Sequence, residues 1–274
     1  RRKNKLEKEI SKAHDLGLSV SEYRDTVKTD NKKKGLVKKE LPDKLKMLDE
    51  HNPYFYRFEL MNSYTSNDGL YFGYNGINYF NSIRNNKVMK TLDKLGIEVI
   101  GDNHVEIKNF DPFIMSLLGI KYIYANDLDY FKKIDNRIYE NPYPLGLGFL
   151  SKSSITNVKL TDDIYDNKKK IINNILGEKI ELYKKVTYED FKREKAKNIE
   201  YFQYEFVSTY DSILLFEDYD LSVLINGQEV EILNNFLLIN SNDLVNLTYE
   251  IVSDYDPSDI FFNILDLDVY EDSM

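Results

Sequence analysis

Cysteine and tryptophan are both absent from this chain, and proline occurs only six times in 274 residues. Without cysteine there is no disulfide, no thiol nucleophile and no zinc–thiolate site. Without tryptophan, a deep sugar subsite would have to stack on Tyr or Phe. No run of about eighteen apolar residues occurs, so the sequence predicts no membrane-spanning helix. The chain starts at Arg1-Arg2-Lys3 with no apolar stretch behind it, which predicts no signal peptide. His14, His51 and His104 are scattered, with no HExxH pattern and no acid at ligand spacing, so a transition-metal site has no support. A GxSxG elbow, a phosphate-binding P-loop and GxGxxG are also missing, and Gly146-Leu147-Gly148 reads as a turn before a strand.

Basic residues vanish from the last quarter. Glu200 to Met274 holds 17 acids and neither Lys nor Arg, whereas residues 1–50 hold 15 basic and 10 acidic residues. With a net charge of −9, such a face repels nucleic acid and anionic headgroups, which excludes nucleic acid as a partner. Two acidic runs invite a calcium reading: Asp254, Asp256 and Asp259, and Asp266, Asp268, Glu271 and Asp272. Calcium takes six to eight oxygens, and the spacing of these acids alone does not specify such a cage, so a solvated acidic surface is the plainer reading and calcium the alternative. Glycoside hydrolysis needs two acids at a set separation across a sugar, and no motif selects a pair.

What is present is concentrated in Asn67–Ser82, NDGLYFGYNGINYFNS. Gly69, Gly73 and Gly76 fall within eight residues, interleaved with Tyr71, Phe72, Tyr74 and Tyr79 and with Asn67, Asn75, Asn78 and Asn81. Glycine permits tight turns and close approach, and asparagine tolerates the left-handed region while bonding its own backbone. Rings beside amides on a loop suit a sugar or another polar ligand. A packed loop whose tyrosines close over a core is the competing reading. A glycan here would meet Tyr71, Tyr74, Asn75 and Tyr79, with Arg57, Asn67 and Asp68 as polar anchors.

Local patterns predict an α+β fold. Lys3–Leu16 reads as a helix, Ser19–Lys39 as a charged mobile connector and Leu41–Glu50 as a short helix with Pro42 at its first position. Tyr54–Met61 reads as a strand, Val88–Leu95 as a helix stopping at Gly96, and Ile97–Lys108 as a hairpin. Asp111 caps a helix begun by Pro112 and ended by Gly119, and Lys121–Ala125 is a strand. Tyr130–Glu140 gives a strand or hairpin pair, and Thr161–Leu176 a helix ending at Gly177. From residue 200 the chain reads as about seven short antiparallel strands without a helix, the last being Ile260–Tyr270, with a type I′ hairpin at Asn226-Gly227. That pattern predicts a β-sandwich, jelly-roll or carbohydrate-binding-module-like. The expected organisation is 1–50 helix and connector, 51–160 α+β domain, 161–199 helical link and 200–274 β-sandwich.

One succession of motifs goes further. Tyr56-Arg57-Phe58-Glu59, Asn67-Asp68, Gly73-Tyr74-Asn75-Gly76-Ile77 to Asn81-Ser82, Leu117–Tyr122, Tyr139-Glu140-Asn141-Pro142 and Leu145–Phe149 follow in order. The chain thereby resembles the YfhO family of bacterial multi-spanning membrane proteins, in the part lying outside the cytoplasmic membrane. The match is dense over Tyr54–Leu150 and thinner beyond.

The resemblance implies a piece of a polytopic GT-C-like glycosyltransferase of a Gram-positive cell envelope, using a polyprenyl-phosphate-linked sugar and serving lipoteichoic acid glycosylation. It places Arg1–Lys5 just after a transmembrane helix and the catalytic acid among helices that this chain lacks. This part would then bind or position glycan or acceptor at the extracytoplasmic face, with its own transmembrane region and cell-wall glycan as partners and no cofactor of its own. The motif residues carried over are Arg57, Asn67, Asp68, Gly73, Tyr74, Asn75, Gly76, Ser82, Lys121, Tyr122, Glu140 and Asn141, several of them as fold-holding positions. Two other readings stand beside it: a non-catalytic scaffold, favoured if the tyrosines around 71–79 are buried, and a free-standing secreted carbohydrate-active enzyme.

Overall fold

A computed structural model describes residues 12, 20–83, 85–101, 103–107, 111–126, 128, 130–186, 190–196, 199–215, 221–230, 236–251 and 263–274. The chain divides into two compact units, Arg1–Tyr54 and Phe55–Met274. The helix expected at Lys3–Leu16 lies outside the described residues, except for Lys12.

In the first unit the expected connector is helical. One 32-residue helix, α1, runs Val20–His51 through both Gly35 and Pro42. Lys, Glu and Leu lose little rotamer freedom in a helix, so a segment with few apolar residues can still be a good helix former. Charge density misled because charges of opposite sign a turn apart support a helix, as Lys46 and Glu50 do at 4.0 Å. Leu41, Leu45 and Leu48 are buried at one-turn spacing. Pro42 sits inside the helix and not at its start, which removes one backbone donor.

The second unit begins with β1 (Arg57–Leu60), whose last three residues are buried. It pairs in parallel with β5 (Ile120–Tyr124). β5 pairs antiparallel with β7 (Ile138–Glu140), and β7 with β6 (Lys132–Asp135), giving the order β1-β5-β7-β6. Between β1 and β5 lie α2 (Asp68–Phe72), β2 (Tyr79–Phe80), α3 (Asn86–Asp93), β3 (Glu98–Ile100), β4 (His104–Glu106) and α4 (Pro112–Leu117). β2, β4 and β3 form a small antiparallel sheet. The α4 start follows the expected chemistry, with Phe113 N donating to Asp111 Oδ1 at 2.9 Å and Pro112 opening the helix. After a short 3-10 turn at Ile155–Asn157 comes α5 (Ile164–Leu176), capped by Asp163 and ended by Gly177.

Two further antiparallel sheets follow. One is ordered β13-β12-β15-β10-β9 and the other β14-β11-β16-β8. Their strands are β8 (Tyr183–Lys185), β9 (Asp190–Ala196), β10 (Ile199–Val207), β11 (Ser212–Leu215), β12 (Leu221–Ile225), β13 (Gln228–Val230), β14 (Phe236–Ile239), β15 (Leu244–Ile251) and β16 (Asn263–Asp266). Tyr204, Phe206, Val223, Val245 and Leu247 from the first sheet share one apolar cluster with Leu214, Leu237, Ile239 and Ile264 from the second. Two sheets packed through their inner faces make a sandwich, and the fold is α+β as expected. Asn226 and Gly227 have φ of 52° and 79°, the signs a type I′ turn requires.

Two expectations need correction. The link at 161–199 is not wholly helical, because β8 and β9 follow α5. The last third does contain a helix: α6 (Leu267–Ser273) replaces the second half of the expected strand Ile260–Tyr270. Its start is set by Asp266, whose Oδ1 accepts Val269 N at 3.1 Å, an N-cap that ends the extended run.

The larger core joins both ends of this unit. Phe113, Met115 and Ile123 pack in one cluster with Ile172, Tyr183, Ile213, Leu265 and Tyr270.

Candidate functional site

The stretch Asn67–Ser82 contains a short helix and a short strand, with Asn67, Asp68 and Asn78 bonded to the protein's own backbone. Asp68 is buried and accepts Tyr64 N at 2.7 Å, Thr65 N at 2.5 Å and the Thr65 hydroxyl at 2.8 Å. Asn67 Oδ1 accepts Phe80 N at 2.9 Å, which ties α2 to β2. Asn78 Oδ1, also buried, accepts Ile107 N at 2.7 Å. Phe58 N donates to the Asn75 carbonyl at 2.9 Å, joining β1 to the stretch. Gly73 ends α2 in the left-handed region at φ 82°, where a side chain is strained.

Beneath the stretch is Glu59, fully buried on β1. Its Oε1 accepts the backbone N–H of Ile77 and of Asn78, while Oε2 is buried without a hydrogen-bond partner among the described residues. Burial pushes its pKa up to about 8. The two N–H donors and Arg57 oppose that rise, and Asp68 adds to it. The neighbouring Tyr74 hydroxyl is likewise buried and unpartnered, and its ring packs edge-on to Phe58 at 5.0 Å. Burial raises the Tyr74 pKa, with Glu59 and then Asp68 adding to the shift. Gly76 closes this spot: a Cβ there would lie 2.8 Å from Tyr74 Cε2 and 3.0 Å from Glu59 Oε1.

The remaining candidates scatter by role. Arg57 Nη1 donates to the Leu118 carbonyl, and its guanidinium lies over the Phe55 ring at 5.5 Å. Tyr79 is half-buried, paired with Val105 across β4, and its hydroxyl meets Met89 Sδ at 3.8 Å. Lys121 and Glu140 stand 3.9 Å apart on β5 and β7, and the Lys121 ammonium lies 5.1 Å from the Tyr122 ring centre. Asn141 is buried, donating to Ser116 Oγ at 3.1 Å and to the Ile120 carbonyl at 3.0 Å. Ser82 and the Asn75 side chain are exposed. Tyr71 is half-exposed at 51% and stacks on Phe72 and Tyr64 at 4.7 Å and 5.4 Å.

The structure thus brings Arg57, Asp68 and Tyr74 around Glu59, which the motif contains but which reads in the sequence as one more strand residue. On and just after the same stretch Leu70, Tyr71, Phe80 and Ile83 are exposed, Leu70 at 86% and Ile83 at 84%.

Elsewhere, Asp266 accepts Lys184 Nζ at 2.6 Å besides capping α6. Asp254, Asp256 and Asp259 lie outside the described residues. Among the described residues no group of three or more His, Asp or Glu side chains is placed to hold a metal ion, and no helix is long and apolar enough to cross a membrane.

The family model described as "Bacterial membrane protein YfhO" matches residues 18–253, and the chain belongs to that family. No curated protein and no solved structure matches it.

Proposed function

From its membership of the YfhO family we infer that this chain is a region of a membrane protein that works outside the bilayer, at the extracytoplasmic face. The protein it belongs to glycosylates lipoteichoic acid in a Gram-positive envelope, drawing sugar from a polyprenyl-phosphate donor held by membrane-embedded helices. This region holds acceptor and membrane module in place and does not supply the complete active site. One observation carries the reading. The polar motif residues Asn67, Asp68, Asn78 and Asn141 point their side-chain bonds at the protein's own backbone and side chains, so they build a rigid support. Leu70, Tyr71, Phe80 and Ile83 are exposed on and beside the elements so supported, and the apolar edge they would make there suits a partner. The protein's own transmembrane region is the partner this edge would meet.

The scaffold reading draws on the same inward bonding, since a scaffold needs no side chain left over for a ligand. Both readings are tested in cells carrying the full-length protein. Leu70→Asp with Ile83→Asp should leave the protein in the membrane and folded while lowering the sugar content of lipoteichoic acid. Unchanged sugar content after deleting the whole gene would end the glycosylation reading.

A further inference from the structure

A cavity of about 280 Å3 opens on the sandwich, away from the motif stretch, lined by Gln203, Glu205, Leu224, Asn246 and Thr248 with the backbone of the residues between them. Its position follows from strand alternation. Tyr204, Phe206, Val223, Val245 and Leu247 turn into the apolar cluster, so their neighbours on β10, β12 and β15 face the other way. Register then sets them side by side, with Glu205 opposite Asn246, Asn246 opposite Leu224, and Gln203 opposite Thr248.

Outward polar residues are ordinary on a sandwich. The difference here is that they line a concavity and that, among the described residues, no hydrogen bond or ion pair engages the side chains of Gln203, Glu205, Asn246 or Thr248. The motif stretch is the opposite case, where most polar side chains already have partners. Two amides, a hydroxyl and a carboxylate supply donors and acceptors of both senses, and Leu224 supplies one apolar contact. Among the described residues that line it none is cationic, which disfavours a phosphate or another anion. The volume lies just below the roughly 300–1,000 Å3 of drug-sized ligand pockets, which limits the occupant to a small one.

We propose that this cleft on the outer face of β10, β12 and β15 is a saccharide-binding site that takes one neutral sugar unit. The amides and Glu205 receive hydroxyl groups, and Leu224 meets a C–H face of the ring. The proposal rests on the positioning role given above for its biological setting, but the site is testable on the purified chain alone.

The experiment is a titration of the chain with methyl glycosides of glucose, galactose and N-acetylglucosamine to tens of millimolar, followed by backbone amide shifts. At least one glycoside should give saturable shifts on β10 and β15. Asn246→Ala and Gln203→Ala should each weaken that binding about 3- to 10-fold, as loss of a hydrogen bond would. Thr248→Arg, which fills the cleft from an outward position, should abolish it, and Tyr71→Ala should leave it unchanged. Amide spectra matching the wild type show that each variant is folded.

No saturable shift with any of the three glycosides overturns the proposal. So does binding that maps to Tyr71–Tyr79, or that survives Thr248→Arg. Binding of tetramethylammonium without glycoside binding, lost in Glu205→Gln, would overturn it in favour of a cation site. Glycoside binding together with unchanged lipoteichoic acid in deleted cells would keep the site and remove the positioning role.

Discussion

Lys168 Nζ and Asp111 Oδ2 meet at 2.8 Å inside the protein, with side chains 3% and 2% exposed. The pair joins α5 to the cap of α4, and the Tyr183 hydroxyl from β8 donates to the same carboxylate at 2.7 Å. Asp111 also accepts Phe113 N, so one carboxylate fastens three elements. Burial pushes the Tyr183 hydroxyl well above the usual tyrosine range, and Asp111 adds to the shift.

Removing one partner of a buried pair leaves an uncompensated charge, and Lys168→Met is therefore expected to cost about 3–5 kcal/mol. Urea denaturation at neutral pH measures it. A loss below about 1 kcal/mol would mean that Asp111 is held by its hydrogen-bond donors alone.

Glu59 should make stability fall as pH rises. Its pKa goes from the ordinary 4.5 to about 8 on folding, so between those values the unfolded chain has lost a proton that the folded chain keeps. Its contribution is full below about pH 4.5, declines through the window and is gone above about pH 8. Glu59→Gln keeps an oxygen for the Ile77 and Asn78 N–H groups and removes the titration. Relative to the wild type the variant should gain stability between pH 5 and 8, on the order of 3 kcal/mol. Paired urea curves across that range check it, and parallel stability–pH profiles would show that Glu59 stays ionised.

Gly76 and Gly73 are expected to fail for different reasons. Gly76→Ala drives a methyl group into the Tyr74 ring and the Glu59 carboxyl, and overpacking of that kind costs about 1–3 kcal/mol. Gly73→Ala meets open space but holds φ at 82°, for which about 1 kcal/mol is the usual penalty. A thermal-shift comparison separates them. Replacing Glu59 by Ala in the same chain should relieve part of the first penalty and none of the second.

Asp68 and Tyr71 are sequence neighbours with opposite roles. Asp68→Ala strips acceptors from Tyr64 N and Thr65 N, leaving part-buried donors unpaired at a cost of about 1–2 kcal/mol. Tyr71 is half-exposed and loses only its ring contacts with Phe72 and Tyr64, so Tyr71→Ala should cost about 1 kcal/mol. If the apolar edge meets a partner, only the second variant loses function while remaining folded, as read from membrane retention and lipoteichoic acid sugar content.

Much of this architecture is local and therefore legible. Asp111-Pro112 fixes a helix start through its own side chain and ring, and Asn226-Gly227 fixes a hairpin through φ. Pairings are not local: nothing in Arg57–Leu60 says that it lies parallel to Ile120–Tyr124. The charged β9 strand, DFKREKA, lacks the apolar alternation that marks a strand. α6 was hidden because Leu265-Asp266-Leu267-Asp268-Val269 alternates as a strand would, although Asp266 is an N-cap residue. At the candidate sites, the residue types around Gly76 mark a tight spot, but Glu59 becomes its centre only by burial. The cleft residues alternate visibly along each strand, yet only the register of three strands brings them together.

β16 lies between β11 and β8 in its sheet, and its register pairs Leu265 with Tyr183. As the chain emerges from the ribosome, β8 must therefore wait for residues some eighty positions later. At about 5–20 residues per second that is a delay of roughly 4–16 seconds, during which Tyr183 has no strand to lie against. A chaperone that shields this interval would act on the synthesis of the protein without touching its finished form.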